Sequence, residues 1–224
     1  MRLVYHVMSA PQPLGLLLLA ASERGLRHVD FMDKRSLKRA IAVREAAEPG
    51  AQWEPSLLEL RPLADQIDEF LTGARKTIEW TLDAHGDDLS LAVWRKLRTV
   101  PFGDTCTVAD LARAIGQPRN LRAVAQAVLT NPLPIVIPCH RVLGADGKPS
   151  NYVGGLARKK YLLDIEARFH VLGGLDDNRV IGELTRRVKP ARAVVKPAAK
   201  KRPAVPARTA AVGASVKAPK KRPR

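Results

Sequence analysis

Cysteine is nearly absent: two residues, Cys106 and Cys139, occur in 224. That excludes a disulfide framework and any zinc site built on paired cysteines, and a thiol that must stay free suits a reducing compartment. Long apolar runs are missing too. The longest, Leu14–Ala21, falls far short of a membrane span. It follows Pro11 and Pro13 and precedes another strand-like run, which also argues against a signal-peptide core. A soluble, cytoplasmic protein is expected. Acidic residues are absent from one region: Arg186–Arg224 holds 14 Lys or Arg and no Asp or Glu. The rest of the chain nearly balances its charges, so the net +16 is concentrated at one end. A near-neutral body with a cationic, Pro- and Ala-rich tail points to a polyanionic partner, most often nucleic acid. Residues 186–224 have no aromatic residue and cannot bury enough surface to fold alone, so a disordered tail is expected.

What is present divides the remainder in two. Residues 1–87 read as a small α/β (α+β) module. Leu3–Met8, Leu14–Ala20 and Leu26–Phe31 form a β-meander, with turn chemistry at Ser9–Pro13 and Ser22–Gly25. A helix follows over Leu57–Leu71, with Leu60, Leu63, Ile67, Phe70 and Leu71 on one stripe and Gly73 past its end. The alternation of Ile78, Trp80 and Leu82 predicts one more strand. Residues 88–175 are mainly helical. Asp88–Arg98 turns Leu91, Trp94 and Leu97 inward, and Pro101-Phe102-Gly103 ends it. Thr107 with Asp110 caps a helix over Val108–Ile115, stopped by Gly116 and Pro118, and Asn120 caps another over Leu121–Thr130. Two short helices around a Gly-containing turn match a helix-turn-helix pattern. In the second, Leu121, Val124, Ala125 and Val128 make a core face. Ala123, Gln126, Ala127 and Thr130 make an opposite face with little bulk, and Arg122 stands beside it. That face can approach a nucleic-acid groove closely; it reads equally well as a solvated, alanine-rich helix surface. A last helix spans Leu156–Arg168, with Arg158, Lys159 and Lys160 early and Glu166 near its end.

Chemistry concentrates at Pro138-Cys139-His140-Arg141. Pro134–Ile137 is mostly β-branched and predicts a short buried strand, which Pro138 ends because it cannot donate to a ladder. Cys139 would leave the core there, with an imidazole and a guanidinium next in sequence. A thiol becomes a good nucleophile near neutral pH when a base or a cation stands beside it. Taken alone, the tetrapeptide favours an inert buried cysteine, the commoner fate of a lone thiol.

Val93-Trp94, Pro101-Phe102-Gly103, Arg122-Ala123-Val124, Asn131-Pro132, Pro138–Val142, Asn151-Tyr152, Gly154-Gly155-Leu156 and Leu162-Leu163, in this order and spacing, resemble the methylated-DNA–protein-cysteine methyltransferases, or O6-alkylguanine-DNA alkyltransferases. The resemblance implies a ribonuclease-H-like N-terminal domain at 1–87 and an alkyltransferase DNA-binding and active-site domain at 88–175. It implies a suicidal DNA-repair enzyme that flips O6-alkylguanine out of the duplex, with O4-alkylthymine as a second candidate substrate. The alkyl group passes irreversibly to Cys139. His140 would take the thiol proton through a water, Glu166 would orient His140, and Asn131 would brace the network. Tyr152 and the Val153 N–H would face the guanine O6, while Ala123 and Ala127 enter the minor groove and Arg122 fills the gap left by the base. No cofactor is implied. Zinc bound through N-terminal cysteines, as in some relatives, is not expected, since no cysteine precedes Cys106. The partner implied is double-stranded DNA, met by a monomer, with non-specific help from the tail. Two positions depart from the family: Val108 stands where a Tyr is usual, and Val153 where the residue is often small and polar. The competing readings are a non-catalytic alkylation-damage binder, which would lack Cys139, a Cys-His-Glu hydrolase, which would leave the helix-turn-helix unexplained, and a plain transcription regulator, which would not need the Cys-His-Glu spacing. The reading requires a Cys139 sulfur that an extruded base can reach.

Overall fold

The computed structural model describes residues 1–32 and 37–172; the basic segment 186–224 lies outside them. Strands β1 (Arg2–Ala10), β2 (Gly15–Ser22) and β3 (Gly25–Met32) form the expected antiparallel meander, each slightly longer than the sequence pattern indicated. Leu17, Leu18, Leu19 and Ala20 on β2 are all fully buried. Their unbroken apolar run therefore marks a central strand covered on both faces.

Two elements of the N-terminal half have no counterpart in the sequence reading. Helix α1 (Leu37–Ala47) carries charged residues around most of its circumference, so it shows no clear apolar stripe. Strand β4 (Gln52–Pro55) is only four residues long and pairs parallel to β1, placing the sheet in the order β3-β2-β1-β4. Helix α2 (Leu57–Leu71) starts at Ser56, whose hydroxyl accepts the Glu59 N–H, and buries Leu60, Leu63, Ala64, Ile67, Phe70 and Leu71. The strand expected over 78–82 does not form. Ile78 is buried as the alternation required, but the backbone makes a single rung, Leu26 N–H to Thr81 O and Asp83 N–H to Leu26 O. Alternation reports which side faces the core; a ladder also needs a partner strand running alongside, and in this parallel register the residues before Leu82 face the turn that precedes β3.

Helices α3 (Asp88–Leu97), α4 (Val108–Ala114) and α5 (Leu121–Leu129) pack together, with a two-rung parallel ribbon of β5 (Cys106–Thr107) and β6 (Val142–Leu143) and the long helix α6 (Leu156–Leu172). Thr107 and Asp110 form the predicted reciprocal capping box at the start of α4. Asn120 does not cap α5 with its side chain; its amide donates to Gln117 Oε1 at 2.6 Å instead. The two halves meet along a shared core. Phe70 of α2 packs edge-on against Phe102, and Val29 of β3 donates to Pro132 O at 2.9 Å. No helix among the described residues is long and apolar enough to cross a membrane.

Candidate active site

The expected strand at 134–137 is a tight buried turn. Ile135 adopts φ 74°, a left-handed conformation that is a genuine outlier for a β-branched residue and costs about 1–3 kcal/mol. Asn131 holds the turn closed. Its Oδ1 accepts the Leu133 N–H at 3.0 Å and its Nδ2 donates to Ile137 O at 2.9 Å. The Leu133 carbonyl accepts the Ile137 N–H at 2.8 Å. Leu133, Ile135, Val136 and Ile137 are all buried, so the β-branched residues serve packing rather than a ladder. Pro138 then leads into one 3-10 turn, Cys139–Arg141.

Asn131 Nδ2 also reaches Cys139 Sγ at 3.0 Å, so the same amide that closes the turn touches the sulfur. His140 Nε2 lies 2.7 Å from Glu166 Oε1. Arg141 forms a forked pair with the same carboxylate at 2.8–3.0 Å, and the Gly103 N–H donates to Glu166 Oε2 at 2.9 Å. Burial alone would raise the Glu166 carboxyl, but His140 and Arg141 overcome it and hold it near 2. Burial lowers the His140 imidazole, with Glu166 opposing, so the ring is neutral at neutral pH. With Nε2–H directed at Glu166, Nδ1 carries the lone pair, and that buried atom has no partner within the protein. The Tyr152 hydroxyl is the same: buried and without a partner, on a ring 6.4 Å from the imidazole and perpendicular to it. Burial drives its ionisation well above the usual phenol value, so it remains a donor. Buried polar atoms left unpaired are uncommon; of four such side-chain atoms among the described residues, two, a base and a donor, are on the facing rings of His140 and Tyr152.

One expectation is corrected. Cys139 is only 1% exposed, so the sulfur is not open to an incoming base in this state. Burial pushes its thiol up to about 11, against the opposing effects of Asn131 and Lys159, so the resting group is SH rather than thiolate. The helix-turn-helix is present, but its exposed face differs from the one expected. Ala127 is buried, and its carbonyl accepts Trp94 Nε1–H at 2.8 Å. Leu121, assigned to the core, is 45% exposed. Arg122, Ala123, Gln126 and Thr130 remain at the surface, as does Val153 at the other side of the site.

Two contributors escaped the sequence reading. Arg141 was noted only as a neighbouring charge, and its partner lies 25 residues away. Lys159 is buried, its ammonium donating to Val142 O and, at 3.4 Å, to Asn151 O, so it ties β6 to the loop before α6. A lysine within a basic run gives no sign of this. Val108, at the start of α4, packs partly buried against the core.

Two family models cover most of the described residues. Residues 3–84 match the ribonuclease-like domain, and residues 88–168 the DNA-binding domain, of 6-O-methylguanine DNA methyltransferase. The chain belongs to this methyltransferase family. Among curated methyltransferases, the methylated-DNA–protein-cysteine methyltransferase of Methanosarcina barkeri is 38% identical over 154 residues, covering 69% of this chain and 92% of its own. Its counterpart from Mycolicibacterium paratuberculosis is 35% identical over 156 residues, covering 70% and 88%. Among solved methyltransferases, the O6-methylguanine methyltransferase of Mycobacterium tuberculosis superimposes with a TM-score of 0.64 at 29% identity, over 80% of this chain and 99% of that one. The Mycobacterium tuberculosis protein in complex with DNA gives 0.62 at 30%, over 75% and 94%.

Proposed function

We propose that this methyltransferase repairs O6-alkylguanine in duplex DNA by direct reversal, each molecule acting once through Cys139. The observation that carries the reading is the buried Cys139 thiol followed in its turn by His140, whose Nδ1 is unpaired, with the unpaired Tyr152 phenol on a ring 6.4 Å from that imidazole. In the reaction, His140 Nδ1 takes the thiol proton, directly or through one water, and Glu166 stabilises the imidazolium that results. The sulfur attacks the alkyl carbon, the C–O6 bond breaks, and its electron pair goes to the guanine oxygen. The Tyr152 hydroxyl and the Val153 N–H stabilise the charge developing on that oxygen. Asn131 holds the sulfur at the end of its turn. The product is a thioether, and no group here can displace so poor a leaving group, so the protein is consumed.

Because Cys139 is covered, entry of the flipped base must uncover the sulfur. The exposed Arg122 and Ala123 fit the role of groove contacts, Arg122 taking the place of the extruded base; Ala127 supports that helix from beneath. Residues 1–87 serve as the supporting domain and 88–175 carry the chemistry. The basic segment 186–224 adds non-specific attraction to the DNA backbone.

The test is intact mass after exposure to a duplex containing one O6-methylguanine. We expect one adduct of about 14 Da per molecule, CH3 replacing H, mapped to Cys139 and absent in Cys139→Ala. Repeated turnover, or transfer that survives in Cys139→Ala, would end this reading.

A further inference from the structure

The segment Tyr152–Gly155 is tied to the N-terminal half by two side chains, one from each half, that the transfer reaction itself does not use. Arg158, in the first turn of α6, donates through Nε to the carbonyls of Pro13 and Leu14, both at 3.1 Å, and through Nη1 to Gly154 O at 3.1 Å. Its guanidinium lies 5.1 Å from the centre of the Phe31 ring. Phe31, near the end of β3, is in turn tilted against Tyr152 with ring centres 5.9 Å apart. It also fills the space over Gly154: a Cβ there would stand 2.6 Å from the ring, so only glycine permits the approach. Two residues earlier on the same strand, Val29 donates to the carbonyl of Pro132, next to Asn131. One strand therefore grips both sides of the sulfur, the Asn131 turn by backbone and the Tyr152 loop by side chain.

We propose that Arg158 and Phe31 are positioning residues, a clamp through which the β1–β2 turn and β3 fix where Tyr152–Gly155 stands over Cys139. This rests on the alkyl-transfer reading and adds a means by which the N-terminal half governs the chemistry. A planar guanidinium suits the task, because its fork meets carbonyls on two sides while its face rests on a ring; a lysine has no such geometry. Releasing the clamp has two opposite consequences. The covered thiol becomes easier to reach for a small reagent, and the Tyr152 donor is no longer aligned for the developing oxyanion, so transfer slows.

The experiment uses the full chain and the variants Arg158→Met and Phe31→Leu, with Phe31→Tyr as the conservative control that keeps the ring. Iodoacetamide labelling of Cys139 is followed by peptide mass, with Cys106 in the same molecule as internal reference. Single-turnover methyl transfer is measured at saturating methylated duplex, and affinity for unmodified duplex separately. We expect the Cys139-to-Cys106 labelling ratio to rise, and the saturated transfer rate to fall, by roughly tenfold or more, as expected for misplacement on the scale of an ångström. Affinity for unmodified DNA should stay within about twofold, because neither residue is on α5, and Phe31→Tyr should behave as the parent. An unchanged labelling ratio in both variants overturns the clamp. So does a parallel rise at both cysteines, which reports general loosening. If the parent protein itself takes no methyl from DNA, the alkyl-transfer reading fails, whatever the labelling ratio shows.

Discussion

At the scale of single residues, the decisive arrangement is one carboxylate serving two cationic or potentially cationic partners in a buried place. Glu166 meets Arg141 in a fork and His140 in a single bond. Breaking a buried pair on one side leaves the other charge uncompensated, so Glu166→Gln should cost about 3–5 kcal/mol in denaturant unfolding. It should also slow transfer, because the imidazolium loses its counter-charge. Glu166→Gln with unchanged stability would mean that Arg141 finds another partner. The acid side follows from the signs. Glu166 is depressed from its usual 4.5 to about 2, so its contribution to stability is full above the usual value and is lost as pH falls through the depressed one. His140 is also depressed, and its preference for the neutral ring is likewise lost in acid. The transfer rate should therefore hold across neutral pH and drop only below the usual imidazole value of 6.5. A rate that instead climbs steadily from neutral pH toward the thiol value near 11 would indicate direct thiol ionisation, with no role for the imidazole.

At the scale of elements, α5 shows how two alanines on one nominal face come to do different work. Ala123 is exposed, whereas Ala127 is packed where Trp94 reaches its carbonyl. Ala127→Leu should overpack that contact and cost about 1–3 kcal/mol. Ala123→Leu should leave stability within about 0.5 kcal/mol but, on the proposed groove contact, weaken DNA binding, since bulk there would block close approach. Thermal unfolding and a duplex titration of both variants would check this; the opposite ranking would mean that α5 is rotated relative to this packing. The turn at 131–137 makes a related point. Its Ile, Val and Ile look like a strand, yet Asn131 closes them into a turn and Ile135 accepts a left-handed backbone. Burial of the Ile135 side chain, worth about 1.5–3 kcal/mol, offsets that strain.

At the scale of the whole molecule, the charge asymmetry sets the expected association behaviour. Removing the chain after Leu184 deletes the 14 basic residues of Arg186–Arg224. If those charges release counterions from DNA, log affinity should depend less steeply on log salt after truncation, while methyl transfer from saturating substrate stays the same. An unchanged slope would make the segment a solvated appendage. The near-neutral remainder would then owe its DNA affinity to α5 and its neighbours alone.

Much of this protein was legible in its sequence because the signals are local. The helices α2, α3 and α4 follow from 3.6-residue periodicity and caps, and the meander from apolar runs between turns. The Pro138–Val142 stretch was legible as one of the motifs that carry the family resemblance, and the structure brings His140 into contact with Glu166, 26 residues on. The tertiary structure decided what depends on partners far along the chain: that Arg141 shares Glu166, that Lys159 is buried, that β4 pairs with β1, and which alanine of α5 faces out. It also decided that the thiol is covered and that the Tyr152 ring packs against Phe31, a residue far earlier in the chain. Periodicity and capping depend on atoms a few residues apart, whereas burial and charge pairing depend on which distant segments the core brings into contact.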